Sequence, residues 1–85
     1  MATAVNTAAS PGAVVSLVLA ANPSRVSALF TNNGAVPVFL GQIGVTLTTG
    51  IPLQPGNSFA DNASSSAWYG ITAGGSGELV ICEVS

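Results

Sequence analysis

The sequence predicts an all-β fold: a small antiparallel β-sandwich or jelly-roll-like barrel of about seven or eight short strands, with an extended N-terminal arm. Three observations lead there. Beyond Gly12 the apolar residues fall in short runs. Clusters of Asn, Pro, Ser and Gly cut those runs at intervals of about 8–12 residues, the spacing of sandwich and barrel strands. No apolar stripe at 3.6-residue spacing is long enough for a proper helix.

Residues 1–12 are small and polar with little periodicity, which predicts a loosely held arm ahead of a single β domain over residues 13–85. Val14, Ser16, Val18 and Ala20 alternate with Val15, Leu17 and Leu19, so the first strand is apolar on both faces and expected to be covered. Asn22-Pro23-Ser24 turns the chain. Arg25 to Thr31 places Val26, Ala28 and Phe30 on one face, the pattern of a half-buried strand. Asn32-Asn33-Gly34 tolerates the positive φ of a tight hairpin and leads into Val36 to Leu40. Pro37 lacks an N–H, so that strand lies at an edge or begins there. Ile43 to Thr49 and Ile51 to Leu53 are further strand pieces, and Pro55-Gly56-Asn57 breaks the chain before Ser58 to Ala60. Asp61 to Ser66 is polar and small, an exposed loop. Ala67 to Ala73 carries the Trp and the Tyr. Gly74 to Gly77 turns, and Glu78 to Val84 is a long final strand.

Composition excludes much chemistry. The 85 residues carry one Arg, no Lys, no His, three acidic groups and one Cys, for a net charge of −2. Imidazole-based nucleophile schemes, Schiff-base lysines and imidazole metal sites lack their side chain, so an enzyme is not expected, nor a cofactor or metal. One cation cannot neutralise a run of phosphates, which argues against nucleic acid. The apolar stretch Ala13 to Ala21 is less than half the roughly 20 residues of a spanning helix, and no basic region precedes it, so no membrane is expected. A surface so poor in charge protects a lone copy only weakly from self-association, so partner chains are expected to bury part of it.

The candidate sites are few. The glycines of Gly70 to Gly77 precede no Lys and no helix, so a plain hairpin outweighs a phosphate loop. Glu78 and Glu83 are five apart and face opposite sides of a regular strand. Asp61 with Asn62 lacks the repeated ligands of a calcium loop, and solvation in a turn is the better reading. Asn62-Ala63-Ser64 matches a glycosylation sequon, with nothing else to indicate secretion. Cys82 shares a face with Val80 and Val84 and is expected in the core. Trp68 and Tyr69 point oppositely, one inward and one outward, in an order that spacing does not decide. Arg25 is expected to pair with Asp61, Glu78 or Glu83, within the chain or across an interface.

Five segments also carry a family likeness: Arg25 to Gly34, Val36 to Gly41, Gly50 to Gly56, Trp68 to Ile71 and Gly77 to Val84. Together they resemble the small β-sandwich structural proteins of tailed bacteriophages, of the capsid decoration (cement) or head-fibre type. The resemblance implies a virion protein, made in the host cytoplasm, that binds the major capsid protein on the capsid exterior as a homotrimer and stabilises the shell. On that reading Ala4, Val5 and Thr7 contact the capsid, and Arg25 and Tyr69 contact neighbouring subunits. A second reading is a head-fibre or tail module whose Trp68 or Tyr69 stacks on a host-surface glycan.

Overall fold

The computed structural model describes residues 3–85. Met1 and Ala2, the start of the expected arm, lie outside them. Eight strands form: β1 (Ala4–Ala9), β2 (Ser16–Leu19), β3 (Ser27–Asn32), β4 (Val38–Gly41), β5 (Ile51–Leu53), β6 (Ser58–Asp61), β7 (Trp68–Ile71) and β8 (Leu79–Val84). They make two four-stranded sheets, ordered β1-β8-β3-β6 and β2-β7-β4-β5, with every pairing antiparallel. The fold is therefore all-β, an open two-sheet sandwich with the eight-strand layout of a jelly roll rather than a closed barrel.

Alternation explains the core. On β3 the inward residues Ala28, Phe30 and Asn32 are buried, and on β8 Leu79 and Ile81 join them. The second sheet contributes Val18, Leu19, Val38, Leu40, Leu53 and Trp68. Phe30, Phe59 and Trp68 meet at ring-centroid separations of 5.5–6.2 Å, two of the three pairs tilted or edge-on. Such contacts add to plain area burial. Trp68 is thus the inward aromatic, and Tyr69 sits half-buried on the outer side.

Asn32 knots one end of the sandwich. Its side chain is wholly buried; Nδ2 donates to the carbonyls of Val36 and Leu53, and Oδ1 accepts the Gly34 N–H. Three bonds satisfy an amide that burial would otherwise penalise.

Several expectations change. Only β4 and β5 are sequential strands of one sheet; every other connection crosses the sandwich. The turns at 32–34 and 74–77 are consequently arches and not hairpins. Neither Asn32, Asn33 nor Gly34 takes positive φ, and an Asx turn does the bending, whereas Gly75 (φ 77°) does bend the second arch. Residues 43–49 form no strand. There the Thr46 hydroxyl takes up the N–H groups of Thr48 and Thr49, and side-chain bonding of this kind competes with a ladder. In β2, Val18 and Leu19 are both buried because the register with β7 shifts between Leu17 and Leu19, while Val14 and Val15 stay exposed.

The arm is also corrected. Residues 4–9 are a full strand, pairing with β8 from Ala4↔Val84 to Ala9↔Leu79. Their side chains are nearly all exposed, so backbone bonds rather than burial hold them.

Candidate self-association surface

Four charged side chains occur, and the fold hides most of them. Arg25 has a side chain with no exposure; Nε donates to Glu83 Oε2 at 2.8 Å, Nη1 to the Ser66 carbonyl at 2.7 Å, and Nη2 to the Ala20 carbonyl. The forked guanidinium suits this task, reaching three acceptors from one rigid plane. The pairing anticipated for Arg25 is therefore with Glu83 and within the chain. Its expected contact with another subunit does not fit a group so enclosed.

Asp61, expected in a solvated loop, ends β6 and is buried. Oδ2 accepts the Trp68 indole N–H at 2.9 Å and Oδ1 the Ala63 N–H at 3.0 Å. Burial alone pushes its pKa up, but the N–H of Ala63, the Trp68 indole and Ser64 together outweigh this and hold it below the usual value. A carboxylate with a depressed folded pKa contributes stability that is fully present above its unfolded pKa of 3.8 and is lost as pH falls through the folded value. Acid unfolding followed by Trp68 fluorescence should show this loss starting below about pH 4, and Asp61→Asn should flatten it.

Glu78 is left as the exposed charge among the described residues. Against that, ten large apolar residues among those described are exposed, including Val5, Leu17, Leu29, Ile51 and Val80. Strand register assigns several to two outer faces. On the first sheet, Cys82 lies opposite Leu29 on one side and Asn6 on the other, with Val80 and Val84 two positions along. Cys82 is half-buried on this outer face, so the expectation of a core thiol is corrected; the inward set on β8 is Leu79, Ile81 and Glu83. On the second sheet, Tyr69 faces Leu17 and Gly41, and Phe39 faces Ile71 and Pro52. Neither face carries a charge. Contiguous exposed apolar surface is where proteins commonly meet partners.

No group of three or more His, Cys, Asp or Glu that could hold a metal occurs among the described residues. A shallow hollow of about 230 Å³ lies beside the loop Gly41 to Val45, closed by Thr49. It brings together no titratable side chain. No helix among the described residues is long and apolar enough to cross a membrane.

The described residues thus form a charge-poor two-sheet sandwich with open edges and apolar outer faces. No family model matches the chain, and no curated protein does. Among solved structures, a chain of the Bacillus endospore appendages, described as a novel family of disulfide-linked pili, shares the fold with a TM-score of 0.57. It is 17% identical, and the match covers 99% of this chain and 85% of that one. At that identity the likeness speaks to the fold.

This finding corrects the phage resemblance. The full-length fold match is to a pilus-forming protein, and the decoration-protein reading falls, together with its capsid partner, its homotrimer and its place on a virion. The motif misled because Asn-Gly, Pro-Gly and aromatic-Gly record where a sandwich bends, which unrelated sandwiches share. Ala4, Val5 and Thr7, expected to touch a capsid, lie on the edge strand β1. The glycan-binding reading falls with the same comparison, and Trp68 offers no platform, its ring being in the core and its N–H bound to Asp61.

Proposed function

We propose that this chain is a non-enzymatic structural protein that works by self-association, as a subunit of an appendage-like polymer. One observation carries the reading: a β-sandwich with open sheet edges and apolar outer faces leaves a single charged side chain exposed among its described residues. Natural sandwiches blunt their edges with charge, proline or irregularity, and the edges of the first sheet here carry no outward charge. The shared fold with an endospore-appendage chain supports the same conclusion. Tyr69, with Leu17 and Phe39 beside it on the outer face of the second sheet, is a candidate subunit contact.

These 85 residues contain one cysteine, and one thiol forms a single disulfide, so the contacts proposed here to extend the polymer are non-covalent.

The test is sedimentation velocity and negative-stain electron microscopy of the purified protein, with and without dithiothreitol. Extended assemblies that survive reduction are expected. A monomer that persists at every concentration would overturn the proposal.

A further inference from the structure

Each copy has four strand edges, and they are not equivalent. On the second sheet, β5 has three residues with Pro52 at its centre, and β2 carries the register shift at Val18. A proline and an irregularity are two standard ways of blunting an edge. On the first sheet, β1 runs six residues in unbroken register without proline, and so does β6 over four. Neither directs a charge outward, because Asp61 is turned into the core.

The hydrogen-bond phase identifies which backbone groups are free. Thr3 and Ser85 exchange both N–H···O bonds. Alternation then makes Val5, Thr7 and Ala9 the residues bonded to β8, leaving the N–H and C=O of Ala4, Asn6 and Ala8 aimed at the open edge. Across the sheet, the Asn32 N–H donates to the Asn57 carbonyl at 3.0 Å, so Phe59 and Asp61 face β3 and the groups of Ser58 and Ala60 face outward.

Strand direction decides how these edges can meet. Four strands, each antiparallel to the next, leave β1 and β6 running in opposite senses. A copy shifted sideways without inversion therefore brings its β1 alongside the first copy's β6 as an antiparallel pair. Such a head-to-tail contact does not close on itself and propagates. It would also cover Val5, 48% exposed, with the half-buried Phe59 of the neighbour.

We infer that copies of this chain join through their first sheets, β1 of one copy pairing antiparallel with β6 of the next. This rests on the self-association proposed above and names its contact. At a strand spacing of about 4.8 Å, four strands advance the polymer by about 19 Å per copy.

Two proline variants test it. Asn6→Pro removes an N–H aimed at the open edge and spares the β1–β8 bonds; Ala60→Pro does the same on β6. Circular dichroism and thermal unfolding establish that each is folded. Each variant alone is expected to lose assembly at least tenfold at equal concentration, while an equimolar mixture forms a one-to-one heterodimer that grows no further, since one open β1 meets one open β6. Folded variants that still polymerise like the parent would overturn the inference while leaving self-association standing; a parent that never assembles sinks both. Amide exchange on the unaltered protein gives a readout independent of folding defects. Ala4, Asn6, Ala8, Ser58 and Ala60 should slow on assembly, and unchanged exchange there in an assembled sample refutes the contact.

Discussion

Arg25→Met is expected to lower the free energy of unfolding by about 3–5 kcal/mol, the usual consequence of removing one member of a buried ion pair. The loss is not the Coulomb energy of the pair. It comes from what stays behind: Glu83, with 18% side-chain exposure, and the carbonyls of Ala20 and Ser66, all deprived of their donor. For a domain of this size total stability is about 4–13 kcal/mol, so the variant approaches the unfolding threshold. Urea denaturation followed by Trp68 fluorescence measures the change. Arg25→Met combined with Glu83→Leu should recover more than half of it, because the orphaned carboxylate is then gone. A loss below about 1 kcal/mol in the single variant would show that the pair is better hydrated than its geometry indicates.

Phe30→Ala should cost a similar amount, about 3–5 kcal/mol, by a different route. Phe30 has no exposure and touches both Phe59 and Trp68, so truncation removes the transfer energy of a ring and leaves a cavity between two sheets. The sheets cannot close on that gap without breaking β-ladders held elsewhere. Its neighbour Leu29, 43% exposed on the outer face, is the control: Leu29→Ala should change stability by less than about 1 kcal/mol. Equal effects at the two positions would mean that the two faces of β3 are assigned the wrong way round.

What the sequence made legible follows from where side chains record their surroundings. The alternation of Ala28 and Phe30 with polar or exposed neighbours placed the inner face of β3 correctly. The turn residues located most bends, because proline and glycine constrain the chain locally. They could not say whether a bend stays in one sheet or crosses to the other, since hairpins and arches draw on the same residues. That is why Asn32-Asn33-Gly34 and Gly74 to Gly77 look like hairpins in the sequence. β8 is ambiguous in another way: it is apolar on both faces, so a period of two does not tell inward from outward, and Cys82 looks like a core residue. Glu83 is the residue that deceives, facing inward only because Arg25, distant in the chain, meets it there.

β1 was illegible for the opposite reason. Its sequence Ala-Val-Asn-Thr-Ala-Ala buries almost nothing, and its order comes from backbone bonds that side chains do not report. Of the candidate surface, the scarcity of charge was readable from composition at once. The position of the open edges was not, because an edge is a property of strand order.

β8 lies between β1 and β3, yet both precede it in the chain. Until residues 79–84 have been made, the first sheet consequently lacks an inner plank, and β1 has no ladder to lie against. The β1 rim through which one molecule would join the next is thus completed only when β8 docks.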